Sequence, residues 1–315
     1  MDVITIGDAL ITMNPSTHGP LRFVNTFERK VGGAELNVAI GCSRLGLKTG
    51  WISRLGSDEF GRYIRNYVRG EGIDVSQVEL IEGFPTSIYF KEIFGPDRIN
   101  SYYYRDNSPT NSFTVEDINE DYVRHAKVVH ISGVFAAINN TNKDVVLQLL
   151  KLAKKHDVLV TFDPNIRLKL WNAEQARECL VTFLPYVDVL LTGEDEAELL
   201  LGTSDLTELI DCVKQYGITH IILKKGAQGA IGYKDNQIIN SPAIVSANIV
   251  DTIGAGDAFA VGYIYSLINN WSLEKSLHFA NVVASYVIGV PGDNEGLPYK
   301  EEIEIFLGER ALIER

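Results

Sequence analysis

The segment DTIGAGD, residues 251–257, brings together two groups that ordinarily avoid each other. Gly254, Ala255 and Gly256 open a helix-forming run. Backbone N–H groups at a helix start have no carbonyl one turn back, and the positive end of the helix dipole favours an anion. Small residues let a ligand approach that backbone closely. Asp257 then adds a carboxylate, which an anion should avoid. One reading is a tight strand-to-helix turn in which Asp257 only stabilises the first turn. The other is phosphoryl transfer to an alcohol: the amides hold the phosphoryl group through its charge-rich transition state, and Asp257 accepts the proton of the attacking hydroxyl. The spacing is neither G-x-G-x-x-G nor Walker A, so dinucleotide and Walker-type sites lose support.

The turn must be positioned by what flanks it. AIVSANIV before it reads as strand-like, and AFAVGYIYSLI after it is apolar on nearly all sides, which predicts a buried helix. DVITIG, TGWISRLG, KVVHIS, VLVTFD, VDVLLT and HIILKK read as buried parallel strands. ELNVAIGCSRLG, EFGRYIRNYVRGEG, KDVVLQLLKLAKKH and ELIDCVKQYG read as helices between them. The expected fold is α/β, a doubly wound, mostly parallel sheet with helices on both faces.

Two polar-aromatic segments, about 9–30 and 84–105, break the alternation. The first has turns at Pro15 and Gly19. The second predicts a hairpin of TSIYFKEIF against RINSYYYR, turning at Gly95-Pro96-Asp97. Side chains alternate along a strand, so Tyr103 and Arg105 share a face, as do Tyr89 and Lys91. Such a flap covers a cleft, meets a partner subunit, or does both.

Composition narrows the function. The 315 residues suit one large α/β domain or two modest ones. A net charge of -12 and a pI near 5.0 speak against nucleic acid as a partner, and leave an anionic small substrate only where a local Arg or Lys cluster overrides the field. Cys42, Cys179 and Cys212 show no zinc or C-x-x-C spacing and read as free thiols. The six histidines show no metal-ligand spacing. The N-terminus lacks a signal-peptide pattern and the longest apolar run is too short to span a bilayer. The expected location is the cytoplasm, with no membrane partner.

VGGAELNVAIGCSRLG (31–46) together with DTIGAGDAFAVGY (251–263) resembles the paired motifs of the ribokinase-like (PfkB) carbohydrate kinases, and the similarity runs along essentially the whole chain. The resemblance implies one kinase domain over 1–315 with a small antiparallel β-lid, ATP and Mg2+ as cofactors, Asp257 as catalytic base, and Gly254, Ala255 and Gly256 as anion hole. LKKGAQGA (223–230) is similar to the family's nucleotide loop, which puts Lys224, Gly226 and Gly229 near the phosphates and adenosine. Asn281 is also carried over to the nucleotide and Asn37 to the substrate. The family often has Asn-x-x-Glu after the central strand; here Gly193 stands at the Asn position and Glu196 keeps the acid that orders water around magnesium. A solvated helix residue is the alternative for Glu196. A monovalent cation such as K+ and a homo-oligomer through the lid are further expectations.

The acceptor must be read from the pocket. Arg167 lies just beyond the strand VLVTFD, where open α/β sheets bind ligands, and Arg105 lies on the flap. Two arginines around a cleft suit a carboxylate, and a neutral sugar has no need of them. YYYRDNS, FDPNIRLKLW and VPGDNEGLP resemble the 2-keto-3-deoxygluconate kinase branch of the family. That resemblance implies sugar-acid contacts from Gly33, Tyr89, Tyr103, Arg105, Arg167 and Asp293, with Asn165 and Arg167 also near the phosphates. The lid departs from the branch at Asn107-Ser108-Pro109. Asp8, just past the first strand, is either a hydroxyl ligand or a loop residue. The expected reaction is ATP-dependent phosphorylation of the 6-hydroxyl of 2-keto-3-deoxygluconate. A neutral-sugar kinase of the fructokinase or ribokinase type is the alternative within the family, and a catalytically degenerate sugar sensor is the alternative outside it.

Overall fold

The computed structural model describes residues 1–95, 98–244 and 252–311. The strand-like run before the glycine turn lies mostly outside these residues, as do Asp251 and the hairpin's Pro96 and Asp97. The described strands are β1 (Val3–Ile6), β2 (Leu10–Pro15), β3 (Phe27–Gly32), β4 (Thr49–Gly56), β5 (Val78–Ile81), β6 (Ser87–Gly95), β7 (Arg98–Tyr104), β8 (Val128–Ser132), β9 (Leu159–Asp163), β10 (Val189–Gly193), β11 (His220–Lys224), β12 (Ala230–Lys234) and β13 (Gln237–Ser241).

The six apolar runs form the centre of a nine-stranded sheet, ordered β13-β12-β11-β10-β9-β8-β1-β4-β5. From β5 to β11 every pairing is parallel, and β12 and β13 extend it as an antiparallel hairpin. Near-continuous Val, Ile and Leu let these strands be covered on both faces. One core packs beneath the helices Ala34–Arg44, Ala255–Ile268 and Leu273–Val287; the other packs beneath Asn140–Lys155, Ala173–Val181 and Leu206–Lys214. The strand order reverses at β1, which lies between β8 and β4. Ligands of open α/β sheets bind outside the carboxyl ends of the strands at such a point. Here Asp8, Ser132, Asp163, Gly193 and Lys224 all stand at those ends.

A second sheet, ordered β3-β2-β6-β7, rises beside this edge. Its hairpins β2–β3 and β6–β7 are antiparallel, and β2 joins β6 in parallel. Tyr89 pairs with Tyr103 across the second hairpin and their rings stack at 5.3 Å. The opposite face is aromatic: Phe90 meets Phe27 and Tyr104 edge-on, and Tyr102 and Tyr104 are exposed.

Candidate active site

A cavity of about 840 Å³ lies between the carboxyl edge of the large sheet and the small sheet. Asp8, Gly33, Asn37, Tyr89, Tyr103, Arg105, Asn165, Arg167, Glu196, Lys224, Gly254, Gly256, Asp257 and Asp293 all line it. These are fourteen of the residues singled out in the sequence, drawn from segments that span nearly the whole chain.

The helix Ala255–Ile268 starts at Gly254, whose φ of 81° and close packing both call for glycine. A side chain there would run into the carbonyl oxygen of Asp293. Gly254 and Gly256 reach the cavity wall, whereas Ala255 is not among the lining residues. Lys224 Nζ stands 3.7 Å from where a Cβ on Gly256 would lie, so an ammonium adjoins the helix N-terminus. That ammonium is paired with Asp163 at 2.6 Å. Burial alone would pull the Lys224 pKa down, but the carboxylates of Asp163 and Glu196 hold it above its ordinary value.

Asp257 sits in the first turn of this helix and is buried. Its Oδ2 accepts a hydrogen bond from Asn37 Nδ2 at 2.8 Å and its Oδ1 one from Asn165 Nδ2 at 3.3 Å. Burial raises its pKa to about 7; the Asn37 bond opposes the rise, the Asp163 charge adds to it, and Arg167 and Lys224 moderate it. Asn165 is placed by a left-handed backbone, φ 38°, with its N–H donating to Asp163 Oδ1. Asn and Asp are the residues that tolerate this conformation in short turns.

Glu196 is tied at both oxygens, accepting the N–H of Ile166 at 3.0 Å and that of Gly193 at 2.9 Å. Each oxygen keeps a lone pair for water. Among the described residues no three His, Cys, Asp or Glu side chains converge as a metal cage. This donor set fits a magnesium ion held mainly by phosphate oxygens and water, with one protein carboxylate ordering that water.

At the other end of the cavity, Arg105 forms a buried ion pair with Asp8 at 2.9 Å. Its Nε, also buried, has no hydrogen-bond partner among the described residues. Asp8 is held above its ordinary pKa by burial, against the pull of Arg105. Asp293 accepts hydrogen bonds from the Tyr89 hydroxyl and from Lys91 Nζ, the latter at 2.9 Å. Arg167 is exposed at the mouth.

The structure keeps some singled-out residues away from the cavity wall. Gly193 caps the helix Glu194–Leu201 behind Glu196. Gly226 opens a short turn that ends at Gly229, which packs against Ser241. Asn281 gives its amide to Ser241 and to the Pro242 carbonyl. Conversely, Glu35, Asp163, Lys91 and Asn294 surround the site without having been read from sequence as site residues. A charged residue within an apolar segment or beside a glycine pair was the available signal for the first two. Glu35 is buried in the cavity wall, accepts the N–H of Phe135 at 3.2 Å, and is raised to about 8 by burial, with the Asp257 charge adding to the rise.

Against known proteins, the profile of the pfkB family carbohydrate kinases matches residues 1–300. A 2-dehydro-3-deoxygluconokinase from Thermoproteus tenax is 35% identical over 311 residues, covering 98% of this chain and 94% of that one. A 5-dehydro-2-deoxygluconokinase from Geobacillus thermodenitrificans is 32% identical over 314 residues, covering 98% and 93%. The solved structure of a sugar kinase from Pyrococcus horikoshii in complex with ATP superposes with a TM-score of 0.83 at 29% identity, covering 96% of this chain and 97% of that one.

Proposed function

The chain belongs to the pfkB family of carbohydrate kinases, and from that premise we propose that it transfers the γ-phosphoryl group of ATP to the 6-hydroxyl of 2-keto-3-deoxygluconate. The observation that carries this reading is Asp257: a buried carboxylate at the first turn of a helix whose N-terminus opens on the same cavity as Arg105 and Arg167.

In this reading the 6-hydroxyl oxygen bonds to the γ-phosphorus while its proton passes to Asp257. The bond from phosphorus to the β-phosphate oxygen breaks and ADP leaves. The amides of the 254–256 turn and Lys224 face the charge on the transferring oxygens. Asn165, Arg167, Lys224 and the 226–229 turn lie on the nucleotide side, with Asn281 steadying the segment at Ser241 behind it. Magnesium, ordered through water by Glu196, would neutralise phosphate charge when bound. A base near pKa 7 is stronger than an ordinary aspartate and is still substantially ionised at neutral pH.

The sugar end supports an acid. The unpartnered Arg105 Nε is a buried donor that a substrate carboxylate can satisfy, and Asp8 and Asp293 can accept hydroxyls. Gly33, Asn37, Tyr89 and Tyr103 complete the enclosure. A second reading, favoured by the Geobacillus relative, takes 5-keto-2-deoxygluconate as acceptor, with the same acid-binding end. Residues 1–315 act as one kinase domain whose small sheet covers the cavity. The exposed aromatic face of that sheet, with Phe23, Tyr102 and Tyr104, is the seat for a second copy of the chain. Sedimentation of Tyr104→Glu should give a smaller species than wild type, and an unchanged mass would remove that interface.

The test of the reaction is ADP release with both keto acids, followed by 31P NMR of the product. A phosphate monoester on a primary carbon is expected. Absence of ADP release with either acid, in the presence of MgATP, would refute the reading.

A further inference from the structure

An asparagine amide has a donating and an accepting end, and only the donating end can face a carboxylate. Asn37 presents Nδ2 to Asp257 Oδ2 at 2.8 Å; turned over, it would set an oxygen against the base. What selects the orientation lies one residue further back. Asn37 Oδ1 accepts from Asn294 Nδ2 at 3.2 Å.

Asn294 is in turn held one way round. Its Nδ2 also donates to the Val31 carbonyl at 2.7 Å, and a carbonyl can only accept. Its Oδ1 accepts from the Tyr67 hydroxyl at 2.9 Å. Its own carbonyl is gripped by Arg44 at 2.8 Å. Asn294 is wholly buried and does not line the cavity. The donors therefore run in one direction, from Tyr67 through Asn294 and Asn37 to Asp257.

We propose that Asn294 is a positioning residue for the phosphoryl transfer, fixing through Asn37 the donor that faces the base. The inference rests on the reading of Asp257 as base. It also gives the 293–294 loop two tasks, because Asp293 faces the sugar end while Asn294 faces back toward the base. The titratable and charged groups around Asp257 come from other elements: Asp163 at the end of β9, Arg167 in the loop beyond it, Lys224 at the end of β11, and Glu35, protonated below about pH 8, from the helix Ala34–Arg44. They would set the level at which the base titrates in any variant. The amide chain supplies an oriented hydrogen bond that lowers it.

The test is Asn294→Leu, close in volume, uncharged and without the two N–H donors, alongside Tyr67→Phe, which removes only the outermost bond. Melting temperature and the pH profile of kcat/KM are measured for each. With the donor to Asn37 lost, the acidic limb should move up by about one unit, giving roughly tenfold less activity at pH 6, with KM for ATP unchanged. Tyr67→Phe should move the limb in the same direction by less. A merely structural role would change melting temperature and scale activity equally at every pH. A folded Asn294→Leu with the wild-type limb overturns the proposal. If Asn294→Leu does not fold, an unmoved limb in Tyr67→Phe does so. Asp257→Asn is measured in parallel: full turnover there refutes the base itself, whereas loss there with an unmoved limb in the other variants refutes only the positioning role.

Discussion

Asn37 Nδ2 lies 2.8 Å from Asp257 Oδ2, joining the two glycine-rich motifs across 220 residues of sequence. Asn165 approaches the second carboxylate oxygen at 3.3 Å. Asp257 is thus gripped by two amides that can orient it but cannot neutralise it, while burial weakens its acidity. A carboxylate so placed suits a base that takes a proton and later returns it.

As the proposed base, Asp257 must be ionised, and its folded pKa is about 7 where an ordinary aspartate titrates near 4. Activity should therefore fall as pH drops through about 7, along an acidic limb of kcat/KM for the free enzyme. Asp257→Asn should lower kcat by about 100- to 10,000-fold and leave ATP affinity near wild type. Steady-state kinetics and nucleotide titration check both.

Glu35 makes a separate prediction about stability. Its folded pKa is about 8, against about 4.3 for an unperturbed glutamate, so between those values the folded chain holds a proton that the unfolded chain has lost. Stability from this group is full below pH 4 and declines as pH rises through 8. Glu35→Gln keeps an oxygen for the Phe135 N–H and removes the titration. Its melting temperature should exceed wild type at pH 8.5 and approach it at pH 5.

Arg105→Ala should raise KM for the sugar acid by roughly 10- to 100-fold, the loss of one or two charge-assisted hydrogen bonds. KM for ATP should stay within about twofold, because the nucleotide keeps all of its own hydrogen-bond donors. Equal effects on the two would remove the carboxylate contact from Arg105 and leave it only the ion pair with Asp8.

Lys91 and Asp293 form an ion pair that joins the small sheet to the loop beside Gly254. Removing one partner leaves a buried charge, so Lys91→Met should cost about 3–5 kcal/mol of stability in urea unfolding. The double variant Lys91→Met/Asp293→Asn should recover part of that loss. Additive effects in this cycle would show that the pair is not coupled.

The centre of the fold was legible because strands such as VLVTFD and HIILKK carry near-continuous apolar runs bounded by turn residues. The edge strands were not. Val78–Ile81 is only four residues long, and Gln237–Ser241 is mostly exposed and polar, so neither carries the pattern of a buried strand. In the site, motif residues at strand ends and in the glycine turn could be placed on local grounds. Lys91 and Asn294 could not, because their meaning lies in partners 202 and 257 residues away, which no local spacing encodes. Lys91 also sits in an alternating strand where a lysine ordinarily points to solvent, and here it is buried.

Whether the acceptor is a sugar acid is decided by comparing kcat/KM for 2-keto-3-deoxygluconate and for fructose, with MgATP, in one preparation. In the proposed reading the buried Arg105 donor at the acid-binding end predicts a preference for the keto acid of roughly 10- to 100-fold. Fructose turned over as well as the keto acid, or better, would contradict a sugar-acid kinase.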